Sequence, residues 1–179
     1  MDNSLPEPRP KLFPRSWFRL FVVVLVALIG IAFISASMPI EKKEAQDIID
    51  QAKKALPQNV SVDSIFLNNF RATLLMIIPG FGAVLAGIII YNTGLVFGAT
   101  GITMDISGPL LLLAVALTPF FWFEFLSYAA GVTEGVYLLR SIIRKRIRSE
   151  LRRTGMVICI MAIFLLLGAA IEVLFVRGS

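Results

Sequence analysis

The sequence predicts an all-α, polytopic membrane helix bundle of about five transmembrane spans with a kinked or re-entrant, glycine-rich centre. Three observations lead there. Hydrophobic residues make up 57% of the 179 and charged residues only 16%, whereas a soluble domain is about half apolar and about a quarter charged. The apolar residues gather in runs near the ~20 that cross a bilayer core. Basic residues crowd the ends of some of these runs, the pattern of segments retained on the cytoplasmic side.

Residues 1–16 carry Pro6, Pro8, Pro10 and Pro14, which forbid a continuous helix and favour an extended cytoplasmic tail. Residues 17–36 hold a single charge, Arg19. They read as a first span rather than a signal peptide, because the run exceeds a normal h-region. Residues 37–64 form an outer segment. Within it Ala45, Ile48, Ile49, Ala52 and Leu56 fall on one stripe at helical spacing, so an amphipathic helix is expected over 41–56, resting on the interface or on the rest of the protein. Asn59-Val60-Ser61 matches a glycosylation sequon, a triplet that also arises by chance.

The membrane core is expected over residues 65–140. Its first apolar run, 65–92, is interrupted by Pro79-Gly80-Phe81-Gly82, where a kink or break is expected. Residues 94–107 contain three glycines and are too few to span comfortably, so a short, tilted or re-entrant helix is expected, sheltered by protein. Residues 109–143 are the longest element, either one span with a cytoplasmic extension or a broken helix, with Pro119 and Gly131 inside. Residues 141–154 read as a cytoplasmic basic amphipathic helix on an Ile143–Ile147–Leu151 stripe, and 155–179 as the last span. Between an outer residue 60 and an inner residue 145 the number of crossings must be odd. Three crossings give five spans, with the N-terminus cytoplasmic and the C-terminus outside.

The chain has no His and one Cys. That excludes a Ser-His-Asp triad, a His-ligated metal, a zinc finger and a thiolate cluster. No catalytic group, cofactor or metal site is therefore expected, and the chain reads as non-enzymatic. Asp105 and Glu124 could pair as acid and base only at a common depth, which their positions argue against.

Polar groups within a bilayer are costly and mark functional or structural positions. Glu124 lies near the middle of the fourth apolar run. Glu124, Tyr128, Gly131 and Gly135 follow at helical spacing, a face that should point toward protein. It serves either as glue, hydrogen-bonded to a neighbouring span, or in transport. Glu134 and Glu172 are expected nearer the interfaces, solvated or paired with Arg140 and Arg177. Asn68 and Asn69 are candidate helix caps at the start of the second span. Asn92 and Gly94 suit a tight inner turn, although Asn92 could instead bond across to Glu124. Gly94-x-x-x-Gly98 and Ala83-x-x-x-Gly87 are small-residue pairs that let helices approach closely, within one chain or across a homo-oligomer.

Arg144, Lys145, Arg146, Arg148, Arg152 and Arg153 surround the basic stripe. Each basic stretch abuts a span, so anionic lipid headgroups or a cytosolic protein such as an ATPase fit better than nucleic acid.

The order of these features resembles the stage II sporulation protein M family, small multi-span prokaryotic membrane proteins. The matching pieces are FLNNFRATLL (66–75), PGFGAVLAG (79–87), YNTGLVFG (91–98) and FFWFEFLSYAAG (120–131). Many members carry His-Gly shortly before the Glu, where this chain has Phe121 and Trp122, so a role that needs the imidazole does not carry over. The resemblance implies that Asn69, Gly80, Asn92, Gly94, Gly98 and Glu124 are the positions to watch. It also implies a scaffold or membrane subunit working with other membrane or envelope proteins. A permease-like transport subunit with Glu124 in or near the pathway is the alternative.

Five spans make a direct prediction. With Cys159→Ser, single cysteines at Ser61 and Ser179 should label with an impermeant thiol reagent applied outside, and a cysteine at Ser149 should not. Labelling at Ser149 would overturn this topology.

Overall fold

The computed structural model describes residues 13–55, 61–145 and 147–178. Within them it holds seven helices and no strand: α1 (Arg15–Ala36), α2 (Lys42–Ala55), α3 (Val62–Met76), α4 (Gly82–Thr103), α5 (Gly108–Ala116), α6 (Pro119–Ile143) and α7 (Ile147–Gly178). The local reasons are conventional. Pro14 precedes α1, and Pro109 and Pro119 open α5 and α6, positions where the missing N–H has no intrahelical partner to lose. In α2, Glu44 lies in the first turn and Lys53 and Lys54 in the last, matching the helix dipole. Ser61 and Ser64 form a reciprocal capping box at the start of α3. Asn68 and Asn69, expected as caps, therefore lie inside the helix.

Side-chain pairings fix the direction of each helix. Trp17 meets Glu134, while Phe21 shares a cavity with Leu126 and Ala130, so α1 and α6 are antiparallel. Gly94 abuts Ala32 and Ser35, and Gly98 abuts Ala36, so α1 and α4 are parallel. Gly131 lies on Thr73 and Gly135 on Ile77, so α3 runs with α6. Thr154 bonds Glu134, and Phe164 packs on Phe123, so α7 runs against α6. Five helices thus alternate: α1, α4 and α7 one way, α3 and α6 the other. Arg15, Arg140 and Arg144 share one end, hereafter the basic end, and α2 with the α4–α5 connection lies at the far end.

Length and apolarity support fewer spans than the directions do. α1, α4 and Glu150–Val176 of α7 are long and apolar enough to cross a membrane, and α5 with α6 makes a fourth if that bent pair is one span. The 15 residues of α3 reach only ~22 Å. Three or four of the expected five are therefore met by length, and α3 completes the alternation as a short helix followed by the turn at residues 77–81.

The break expected near Pro79 is present: the run 65–92 is two helices, divided where Gly80 takes φ +79°, a conformation that glycine adopts without steric cost. Two other regions differ from the sequence expectation. α4 continues unbroken to Thr103, so 94–107 is no separate re-entrant element and Asn92-Thr93-Gly94 is no turn. Gly94 serves close packing instead: a Cβ there would collide with the Ser35 hydroxyl and the Ala32 carbonyl. The sharpest bend sits further on, where α5 and α6 meet at 93°. Thr118 precedes Pro119 and is extended, at φ −87° and ψ 146°, as a residue before proline must be. At the break Val115 O accepts from both the N–H and the Oγ1 of Thr118, and Ala116 O accepts from Trp122 Nε1 at 2.9 Å.

The second difference concerns residues 141–154. They form no helix of their own, because α6 ends at Ile143 and Lys145 takes φ +53°. That reversal separates Ile143 from Ile147 and Leu151, so the expected stripe is split between two helices.

Backbone proximity organises the α1–α4–α5 junction. A Cβ at Gly108 would strike Gly98 and the Ala36 carbonyl, and one at Gly101 would lie 2.8 Å from Gly108 N. Small-residue packing of this kind brings dispersion contacts within reach where lipid supplies no hydrophobic drive. Gly87 faces open space, so the Ala83-x-x-x-Gly87 pair serves no such contact within this chain. Gly94→Val should destabilise the bundle by about 3 kcal/mol or more, whereas Gly87→Ala should stay within about 0.5 kcal/mol. Reversible unfolding in mixed micelles measures both, and equal effects would remove the distinction.

Candidate functional site

Two acids ten residues apart on α6, about 15 Å along the axis, have opposite surroundings. Glu124 faces α3. Asn69 Nδ2 donates to Glu124 Oε1 at 2.6 Å, and the Tyr128 hydroxyl donates to Asn69 Oδ1 at 3.0 Å. The Asn69 main-chain carbonyl accepts from Thr73 Oγ1 at 2.7 Å, a bond within α3. The expected Glu124–Tyr128–Gly131–Gly135 face is real, and the two glycines let the α3 backbone close on it: Cβ atoms there would lie 3.1 Å from Thr73 O and 2.9 Å from Ile77 O.

Beside this chain of bonds lies a cavity of 350 Å³, lined by α3, α4, α5, α6 and α7. Its polar wall is Asn68, Asn69, Thr93, Glu124, Tyr128 and Glu172. Glu172, expected at an interface with Arg177, thus lines the same space as Glu124. The apolar wall includes Phe121, stacked on Phe125 with centroids 4.2 Å apart. Asn92 does not join the site. It is exposed on α4, in a groove shared with Glu44 and Gln51 of α2, so Asn69 takes the partnership with Glu124 that Asn92 could have had. Gly80 forms the turn after α3, and Gly94 and Gly98 pack on α1.

Glu134 lies at the other end of α6 and is wholly buried, with Arg153 4% exposed. Arg153 Nε donates to Glu134 Oε2 at 3.0 Å and its terminal nitrogen to Oε1 at 3.1 Å, a forked pairing. Thr154 Oγ1 donates to Oε1 at 2.7 Å, and Trp17 Nε1 to Oε2 at 3.1 Å. The guanidinium also pairs with Glu150 and lies 4.8 Å from the centroid of the Tyr137 ring. Glu134 is therefore neither solvated nor paired with Arg140. Arg153, grouped by sequence with the docking residues, turns inward. Arg144, Lys145, Arg148 and Arg152 are exposed, while Arg146 lies outside the described residues. Sequence reasoning missed Trp17, Arg153 and Thr154. The available signal was that a lone acid near a span end requires a cation, and Arg153 is the basic residue next to the last apolar run.

A family model described as Stage II sporulation protein M matches residues 20–176. The chain belongs to the stage II sporulation protein M family. No curated protein and no solved structure matches it. The family match takes in nearly all of α1 and everything through Val176 of α7, so both acids of α6, the Asn69 partner and the Arg153 pair fall within the stage II sporulation protein M region. Trp17 lies just ahead of it.

The two clusters predict different losses. Arg153→Ala strips a buried carboxylate of its cation and should cost about 3–5 kcal/mol. Arg148→Ala, on the surface, should stay within about 0.5 kcal/mol. Adding Glu134→Ala to Arg153→Ala should restore part of the loss, because the uncompensated charge goes with it. Additive single and double variants in unfolding measurements would show that the pair does not act as a unit.

Proposed function

We propose that this chain is a non-enzymatic membrane subunit of the permease type, with Glu124 in the pathway of a small cationic solute. The observation that carries the reading is the 350 Å³ cavity on which Glu124 and Glu172 converge with Asn68, Asn69, Thr93 and Tyr128. Hydrocarbon penalises every polar atom it surrounds, so two carboxyls and several neutral hydrogen-bonding groups around one space suit a cation exchanging its hydration shell for protein oxygens. The α5–α6 bend borders this space, and broken helices with an intramembrane acid are features that transporters use. The Glu134–Arg153 pair lies on the same helix toward the basic end and suits a closed gate there.

In this reading the basic end faces the cytoplasm of a cell membrane, as its Arg and Lys residues favour. The C-terminus then lies outside. The exposed Arg144, Lys145, Arg148 and Arg152 suit anionic lipid or a cytosolic ATPase. The scaffold reading has one observation of its own, the groove between α2 and α4 at the far end, lined by Ile48, Ala52, Glu44 and Asn92, which suits an envelope protein.

Flux separates the two. The full chain in liposomes, under a potassium diffusion potential, should pass protons or sodium, read by an entrapped pH or sodium dye. Glu124→Gln should reduce the flux by about tenfold or more, and Glu172→Gln should reduce it measurably, while Glu44→Gln on α2 leaves it unchanged. All variants should elute as monodisperse bundles. No flux above empty liposomes, or full flux in Glu124→Gln, would overturn the permease reading and leave the scaffold.

A further inference from the structure

A second cavity, of 250 Å³, lies toward the basic end and has a different chemistry. Phe18 and Phe21 of α1 form one wall, Ile160 and Phe164 of α7 the other, and Ala130 of α6 belongs to the floor. The only hydroxyl among its lining residues, Ser127 Oγ, already donates to the Phe123 carbonyl at 2.7 Å. The Trp17 indole N–H is likewise committed to Glu134, so Trp17 turns only its ring toward the cavity. Nothing in the lining can hold a polar solute. The space is also too narrow for a partner helix, whose diameter with side chains is about 10 Å.

The rim supplies the second half of the argument. Arg15 and Arg19 are exposed on α1, within one helical turn of Phe18 and on the same end of the bundle. Arg140 is exposed on α6, its guanidinium 5.4 Å from the centroid of the Tyr137 ring. Tyr137 OH donates to Ser16 Oγ at 2.7 Å, which ties the α6 rim to the α1 rim. Arg15, on the Phe18 side of α1, and Arg140, on the Leu126 side of α6, therefore stand toward the basic end of an apolar slot whose own donors are satisfied, whereas Arg19 falls about 160° around α1 from Phe21 and faces away from it. The geometry points to an anionic phospholipid bound at this site, one acyl chain between α1 and α7 over Ala130 and its phosphate against Arg15 and Arg140. The inference is independent of the transport reading, because it uses none of the residues around Glu124.

Trp17 reports occupancy directly. It lines the slot and is 5% exposed in all, so a brominated chain seated there comes closer to its ring than lipid packed around the rest of the bundle. The chain has two tryptophans, so Trp122→Phe leaves Trp17 as the sole indole. The full chain in zwitterionic micelles is titrated with phosphatidylglycerol brominated on its acyl chains, and separately with phosphatidylcholine carrying the same chains. Half-maximal quenching is expected at an about tenfold lower mole fraction of the anionic lipid. Replacing Arg15 and Arg140 with Gln should bring the anionic curve onto the zwitterionic one, whereas Arg19→Gln should leave the difference in place. Ala130→Phe, which fills the slot, should suppress quenching by both lipids. Equal quenching by the two headgroups in the unsubstituted slot would overturn the proposal, and so would undiminished quenching in Ala130→Phe.

Discussion

The carboxylate of Glu134 is the constraint on which the rest of the bundle depends. A buried carboxylate must find donors within the protein, and it finds them on three residues from two helices other than its own. Trp17 fixes the start of α1, and Arg153 and Thr154 fix the first turns of α7. Those helices are respectively the first and last of the chain, so one side chain closes the bundle at the basic end across a sequence separation of more than a hundred residues. The forked geometry matters as well. A guanidinium presents a planar pair of donors, and it positions α7 in rotation as well as in distance. The slot between α1 and α7 follows from this, because the two helices are tied at one end by Glu134 and left apart below it, where Leu126, Ser127 and Ala130 of α6 form the floor.

The opposite half of the bundle is held by backbone proximity. Gly94, Gly98 and Gly108 let α1, α4 and the start of α5 touch main chain to main chain. Gly131 and Gly135 do the same for α3 on α6. These contacts set glycines against main-chain carbonyls, so they leave little or no room for an added methyl group, yet they supply no donors to Glu124. Glu124 sits beside them with the Asn69 amide bonded to one of its oxygens. The cavity it lines exists because α6 turns away from α5 at Thr118–Pro119, which keeps α5 from packing along α6 and leaves room beside Phe121 and Glu124.

Much of this was legible in the sequence. The extents of α1 and α2 follow from an apolar run and an amphipathic stripe, and the proline-opened break in the longest element follows from Pro119. The Glu124–Tyr128–glycine face was readable because its members share one helix and one period. What the sequence did not show depends on pairings between helices. Asn69 read as a helix cap and Asn92 as the residue that could reach Glu124, until the bundle placed α3 against that face of α6. Gly94 looked like a turn residue, because a glycine after an asparagine carries the same letters whether its freedom serves a reversal or a close approach. Arg153 was indistinguishable from Arg152 by charge. A 100° step around α7 sends one inward and leaves the other exposed.

The contrast between the two acids bears on what α6 can do. Glu134 holds a guanidinium and two neutral donors, so any displacement of α1 or α7 at that end must break charge-assisted bonds in a non-aqueous setting, where they are strongest. Glu124 shares one amide, and its surroundings are a cavity rather than a packed partner. A cation entering that cavity would meet ligands that need not first release another cation, whereas one approaching from the basic end would have to displace Arg153. Access is therefore unequal along one helix, and the inequality is set by where Arg153 and Asn69 fall on α7 and α3 rather than by any difference in the acids themselves. A rotation of α7 by one residue would exchange Arg153 for Arg152 at Glu134 and carry Glu172 out of the cavity at the other end. The rotational setting that seals one end thus also brings the second carboxyl to the open one.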